Sequence, residues 1–477
     1  MIEESKISSR MDDHALEAVP DDQRQNWLQI TWGTAGIVTT LIQLFIGALV
    51  TFVAGIKLGV LAGVLVTVIG ALLGWGTGHI AYRTGLSSSV MSRGHGFGTR
   101  GSVLIAAVFG FMIIGFLAIE NALLYKGFLF YFGMADTLAN QVIIYGILTL
   151  AWILLTAFGF GLVAKVSSYT LIAFLAVLLY MVVDVIATSG QSWSDVMKFG
   201  AQMPPEVLTA MGADTDAGKF AFAVNVLIGS AGALALVDAD LGRYARRSRD
   251  IGIAALFGNL AMDIVMLFIG GVVMYAGMGQ IISYHVNVGG LTQEAAQQLA
   301  LQSPDSVAAA FIIFGGIIGT ILMVLAQSKA QVLNTYSASL SLTALFDALF
   351  SWRPGRLVFV ILANLIGCLL LVGSILEWVN SFLTILGILT TCFAGIMIAD
   401  YFIVKPVQRS RGLAAQPVPD VNWAGIVTVV VSFVLAHYVL NRYVSIEFFT
   451  SLPVCVVLYS VLRLAATSSK TPAGQAA

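Results

Sequence analysis

Four charged side chains sit in stretches apolar enough to lie in a bilayer: Glu120, Asp184, Asp263 and Lys329. An acid or lysine at the centre of a membrane span costs roughly 2.5 to 3.5 kcal/mol even on a lenient insertion scale, so each is a candidate for solute or ion chemistry. Glu120 follows Ile113-Ile114-Gly115-Phe116-Leu117-Ala118-Ile119 and precedes Asn121. Its carboxyl can accept hydrogen bonds from a solute's N–H groups or carry a proton. The plainer reading, neutralisation of Lys126 at a membrane boundary, suffers from a six-residue spacing that is wrong for a helical pair. Lys329 lies just past the strongly apolar run that ends near Ala326, so a headgroup position is one reading. The other is a cavity-lining helix, because no Gly or Pro interrupts Thr320 to Arg353 and the continuation carries Gln331, Asn334, Thr335, Ser337, Ser339 and Ser341. Asp184 and Asp263 have no sequence partner. Asp240 and Asp400 fall at helix C-terminal ends, where a carboxylate needs a cation, and Arg243, Arg246 and Lys405 are near enough to supply one.

The elements that must position these groups are membrane helices. Of 477 residues, 58% are hydrophobic and 10% charged, and the mean hydropathy is +0.91, whereas soluble domains carry about 25% charged residues. Apolar runs of about 18 to 25 residues, enough to cross a ~30 Å hydrocarbon core, recur along the chain. They fall near 31–54, 57–81, 102–130, 139–161, 167–188, 220–241, 251–276, 307–340, 357–374, 378–403, 423–440 and 445–464, so the expectation is an all-α polytopic protein of about twelve spans. On that reading Arg83, Arg93, Arg100, Lys165, Arg243, Arg246, Arg247, Arg249, Arg353, Arg356, Lys405, Arg409 and Arg411 share one side with the amino-terminal tail and its Lys6, Arg10 and Arg24. Lys57, Lys126, Lys198, Lys219 and Arg442 face the other. Positive loops stay inside, which places both termini in the cytosol of a cell-membrane protein.

The tail before Trp27 is acidic and polar, unlike a signal peptide, and reads as a mobile arm. Cys368, Cys392 and Cys455 sit singly within spans and suggest packing. The expected partners are the bilayer, a small solute and a coupling ion, with no nucleic acid, no cofactor and no metal. No metal-ligand cluster, nucleotide-binding loop or nucleophile–base pair points to an enzyme.

The first span holds Gly33-Thr34-Ala35-Gly36-Ile37 and the sixth Gly229-Ser230-Ala231-Gly232-Ala233, a small-residue pattern repeated five spans apart. In a five-plus-five inverted repeat the first helix of each half is unwound near mid-membrane, and glycines permit that break. Close helix packing by small residues is the competing explanation.

Several segments together resemble the nucleobase-cation symporter-1 family of cytosine and purine permeases. They are Gly85-Leu86-Ser87 through Gly96-Phe97-Gly98-Thr99-Arg100-Gly101-Ser102, Asp238-Ala239-Asp240-Leu241-Gly242-Arg243-Tyr244, Asn334-Thr335-Tyr336-Ser337-Ala338-Ser339-Leu340-Ser341 and Ala399-Asp400-Tyr401-Phe402. The resemblance implies a LeuT-like fold. Residues 27–188 would form helices one to five, 220–403 helices six to ten and 404–465 two peripheral helices, with an extracytoplasmic loop at 189–219 and tails at 1–26 and 466–477.

It also implies a solute site between helices one, three, six and eight. Phe116 falls where relatives carry a stacking Trp, Glu120 at a Gln or Asn position, and Asn334 at the helix-eight amide. Ala231 takes the place of a second aromatic, flanked by Gly229 and Ser230, leaving a one-sided stack or space for a bulkier solute. A carboxyl at 120 favours donor-rich or cationic ligands over uracil. The positions matching the sodium ligands of relatives are Thr34, Ile37, Leu325, Ser328 and Lys329, so an ammonium stands where a hydroxyl should help hold the ion. Two neighbouring cations in low dielectric repel, and burial penalises charged lysine. The expectation is import of a nucleobase or related nitrogen heterocycle, proton-coupled through Lys329 or Glu120 and not sodium-coupled. The alternatives are an amino-acid or amine carrier on the same fold and a non-transporting membrane sensor.

Overall fold

A computed structural model describes residues 14, 16–134, 136–158, 160–302, 305–372, 379–412 and 417–468. Those residues form helices and connections with no strand among them. The principal helices are α1 (Trp27–Val38), α2 (Leu41–Thr84), α3 (Val103–Phe132), α4 (Leu138–Phe158), α5 (Phe160–Ser189), α6 (Asp216–Gly242), α7 (Ser248–Asn287), α8 (Asp305–Phe350), α9 (Arg356–Val372), α10 (Ser381–Ser410), α11 (Trp423–Leu440) and α12 (Phe448–Ser468).

Ten helices among the described residues are long and apolar enough to cross a membrane. Two differences separate that number from the sequence expectation. The apolar runs 31–54 and 57–81 count together as α2, although its backbone kinks at Gly55 (φ 77°, ψ 160°, a conformation open to glycine), where Ile56 N–H leaves the helical ladder to donate to Phe199 O. Arg356–Val372, described over 17 residues, is shorter than those ten.

The chain interrupts the first span between α1 and α2. Asn26 caps α1 through a reciprocal bond with Gln29. Thirteen residues after Asn26 the helix stops at Thr39 (φ −95°, ψ 72°) and Thr40 (φ −132°, ψ 166°). Two consecutive β-branched residues favour this departure from helix, and the Thr39 hydroxyl stabilises it by donating to Ala35 O at 2.9 Å. The break therefore lies after the Gly33–Ile37 pattern, which stays helical. The matching break expected in the sixth span is absent: α6 runs unbroken through Gly229–Ala233. Its glycines serve close packing instead, since a Cβ at Gly229 would stand 2.7 Å from Leu383 O and one at Gly387 would stand 2.6 Å from Gly229 Cα. Unwinding α6 there would forfeit that contact and expose backbone groups to apolar neighbours.

The described part of the amino-terminal tail also departs from a mobile arm. Val19 is buried and its N–H donates to Gly85 O, Gln25 N–H donates to Tyr244 O, and Arg24 Nη1 bonds the carbonyls of Tyr82 and Ala245. Leu16 packs with Val90, Ala106 and Ala344. The segment thus ties the ends of α2 and α6 to the side of α3 and α8, because backbone groups and two apolar side chains find partners there that solvent cannot match.

Candidate functional site

The break between α1 and α2 is the centre on which the candidate residues converge. The last carbonyls of α1 and the first amides of α2 lack intrahelical partners, so opposite helix ends face one gap within the span. Leu44 N–H bonds Thr40 O, leaving the amides of Leu41, Ile42 and Gln43 ahead of the helical ladder.

Glu120 enters this gap from α3. It is 2% exposed, and its carboxyl lies beside the Thr40 hydroxyl. Neither Glu120 Oε2 nor Thr40 Oγ1 completes a hydrogen bond among the described residues. Lys126 is bound elsewhere, to Asp136 at 2.6 Å, so the boundary-neutralising reading of Glu120 fails. Asn121, one residue on, has a holding role. Its Oδ1 accepts from Trp152 Nε1 at 2.7 Å and from Gln331 Nε2 at 2.8 Å, and Gln331 also donates to Leu117 O. These bonds fix α3 against α4 and α8 and so set where Glu120 projects.

Lys329 reaches the gap's other flank from α8, which continues as a helix through Phe350. It is 7% exposed, and Nζ donates to Trp32 O of α1 at 3.0 Å. Gly36 makes this possible: a Cβ there would fall on the terminal atoms of the lysine. The ammonium is therefore held against α1 backbone between α1 and α8. The other implied ion positions are less convergent. Ser328 Oγ is occupied by Val324 O of its own helix at 2.7 Å. Thr34 turns towards α6, where its hydroxyl lies 3.4 Å from Asp238 Oδ1. Ile37 and Leu325 are partly buried against the core.

Phe116 is half-buried and meets an aromatic residue that sequence reasoning missed. The Phe382 ring of α10 stands edge-on to it, with centroids 5.9 Å apart and planes at 86°. Phe382 also abuts Phe111 and lies over Gly115. Asn334 is buried and makes no hydrogen bond among the described residues. Ser230 is buried with its hydroxyl unpartnered there, whereas Gly229 is committed to α10. Ala231 does not border vacated space. It is fully buried and faces Gly70 of α2, where an added Cβ would lie 3.1 Å from that of Ala231. The two small residues let helices approach, so the second aromatic is replaced by packing and not by a void.

The remaining acids divide into satisfied and unsatisfied ones. Asp400 binds Tyr459 OH at 2.6 Å, His95 Nδ1 at 3.2 Å and Lys405 Nζ at 3.3 Å, which joins α10 to α12 and to the segment before α3. Asp240 accepts from Ser88 N and Oγ rather than from the arginines, while Arg243 donates to His14 O and Tyr336 OH. Asp238 Oδ2 and both carboxyl oxygens of Asp263 are buried without partners among the described residues. Asp184 is half-buried near the end of α5.

This arrangement, a helix interrupted inside a membrane span with acidic, aromatic, amide and ammonium groups gathered around the interruption, defines a membrane transporter of the LeuT-like fold. The chain belongs to the family described as permeases for cytosine/purines, uracil, thiamine and allantoin, whose profile matches residues 21–460. No curated protein sequence matches it. Among solved structures it is similar to Mhp1, a nucleobase-cation-symport-1 family transporter, in a closed conformation with bromovinylhydantoin bound. There the TM-score is 0.71 at 17% identity, over 96% of both chains. The inward-facing conformation of Mhp1 gives 0.70 at 18% identity, over 95% of this chain and 94% of that one. A sodium-coupled sialic acid symporter in a substrate-bound outward-open state gives 0.62 at 13% identity, over 99% and 95%. At these identities the structural likeness concerns the fold, and both the family and its structural neighbours are transporters rather than enzymes.

Proposed function

We propose that this protein imports a nucleobase such as cytosine or a purine, or a related nitrogen heterocycle, by alternating access without sodium, with a proton as the coupling ion and both termini in the cytosol. The observation that carries the ion assignment is the Lys329 ammonium on Trp32 O, flush against Gly36. A fixed cation bridges α1 and α8 where relatives of this family are expected to hold a mobile one. A second cation in that place would meet repulsion of several kcal/mol at the low effective dielectric of a buried site. Because the lysine is covalently tethered, coupling would require it to exchange a proton and not to dissociate, and leaving Trp32 O would free α1 to move relative to α8.

The solute assignment rests on the family together with three groups of the chain. Phe116 offers a ring face, Glu120 accepts from N–H donors, and Asn334 has an uncommitted amide. The fold class supports a domain division at 27–188 and 220–403, and the one-sided arginines support cytosolic termini. The test is uptake of labelled cytosine and adenine into proteoliposomes at fixed pH, with sodium exchanged for choline. Equal uptake in both media, abolished by collapsing an imposed proton gradient, is expected; strong stimulation by sodium contradicts the assignment.

A further inference from the structure

Lys329 grips α1 at Trp32 O and Gly36, and the turn of helix between those two residues is held from its other face as well. Thr34 lies two residues before Gly36, more than half a turn around the helix. Its hydroxyl donates to Asp238 Oδ1 of α6 at 3.4 Å, and its methyl group fills a notch at Gly258 of α7, where an added Cβ would fall on it. Asp238 is 0% exposed. Its Oδ2 has no partner among the described residues and lies where a Cβ on Gly74 of α2 would stand. One turn back on the same stripe of α2, Asn259 Oδ1 of α7 lies where a Cβ on Gly70 would stand. That oxygen is uncommitted too, since the amide spends only Nδ2, on Ala255 O.

No charge compensates Asp238 among the described residues, whose only hydrogen bond to it comes from Thr34. The α1 helix carries no titratable residue. On α2, His79 turns to Ser248, and Lys57 and Arg83 are exposed. On α7, Asp250 accepts from Arg247 N, Arg249 is exposed, and Asp263, a turn beyond Asn259, is itself an unpartnered acid. Asp240 of α6 is taken by Ser88, and Asp400 of α10 by His95, Lys405 and Tyr459. An ionised Asp238 would thus be a bare negative charge removed from water, near the carboxyl end of α6. A proton on Oδ2 removes that charge, leaves Oδ1 to accept from Thr34, and makes the acid a donor.

We infer that Asp238 is a proton-binding site of this carrier, protonated while Thr34 is docked against it and giving up its proton when α1 swings away. This rests on the transporter reading for the movement of the proton but not for its presence. As α1 leaves, Thr34 goes with it and water reaches the carboxyl. The Oδ2–H proton passes to that water, and the carboxylate left behind is solvated until a proton returns and α1 docks again. One turn of α1 is thereby held between an ammonium on α8 and a carboxylic acid on α6, and its release is tied to proton exchange on the acid side.

The experiment is infrared difference spectroscopy of the full-length protein in detergent, natural chain minus Asp238→Asn. The natural chain should show the carbonyl stretch of a protonated carboxylic acid that the variant lacks. Loss of a carboxylate band in its place overturns the inference. Thr34→Ala gives the answer even if Asp238→Asn does not fold. The Thr34 hydroxyl donates to the carbonyl oxygen of the acid, so without it one carboxylic band should move to higher frequency, and an unmoved spectrum overturns the inference as well. These bands are read without any solute, so failure of the nucleobase assignment leaves them intact. The exchange step is read in proteoliposomes with an inside-alkaline gradient of about one pH unit. Each proton carried contributes about a factor of ten to the limiting accumulation of cytosine or adenine, so Asp238→Asn should lower it about tenfold. Unchanged accumulation in that variant overturns the exchange.

Discussion

Gly36→Ala should be felt through Lys329 alone, and its sign should depend on whether that lysine is present. A Cβ at position 36 coincides with the last atoms of the lysine side chain, and Nζ then loses its 3.0 Å bond to Trp32 O. A hydrogen bond to a charged group contributes about 1.5–3 kcal/mol. Against this, replacing Gly by Ala inside a helix gains about 0.8–1 kcal/mol. The net expectation in the natural background is destabilisation by roughly 0.5–2 kcal/mol. In a Lys329→Ala background the lysine atoms that a Cβ would meet are gone and no bond remains to break, so Gly36→Ala should stabilise by up to about 1 kcal/mol. Equilibrium unfolding of the four proteins in detergent measures the cycle, and the coupling between the two sites should be about 1.5–3 kcal/mol. Additivity within about 0.5 kcal/mol would refute the contact and, with it, the tethered cation between α1 and α8.

Two further outcomes are expected. Phe116→Ala should weaken binding of a stacked heterocycle by about 1–3 kcal/mol, or five- to 150-fold, in calorimetric titration of whichever nucleobase the uptake assay identifies, and unchanged affinity would remove Phe116 from the site. At the membrane boundary, burial opposes ionisation of Asp136, but Lys126, Tyr125 and Gln141 outweigh it and hold the carboxyl down at about 2. A depressed carboxyl stabilises the fold above its unfolded value near 4 and loses that contribution as the pH falls towards 2. Hydrogen exchange at the α3–α4 connection should therefore accelerate across that window in the natural protein, and an Asp136→Asn variant should show the faster exchange already at neutral pH.

Residues that neighbours in sequence could expose were legible, and those defined by distant contacts were not. Glu120 and Lys329 stood out because a charge in an apolar run is expensive wherever the run folds. The break in the first span had a local signal as well, the Thr39–Thr40 pair, which the glycine-rich pattern just upstream obscured. Phe382 carried none: it is one phenylalanine among 28, marked out only by the ring it faces on α3. The Gly229–Ala233 pattern resembled that of the first span, but glycine permits unwinding and close packing equally, and the choice fell to Leu383 and Gly387 on α10.

By itself the sequence determined the solvent, the all-helical class and the family, because hydropathy and motifs are sums over nearby residues that survive any packing. Tertiary structure alone decided which α1 carbonyl the lysine takes, across 297 positions of chain, and that Glu120 of α3 lies beside Thr40. It also decided that α6 remains whole. Each of these depends on where two helices happen to touch, and side-chain spacing within one helix does not specify the neighbour on which that helix will lie.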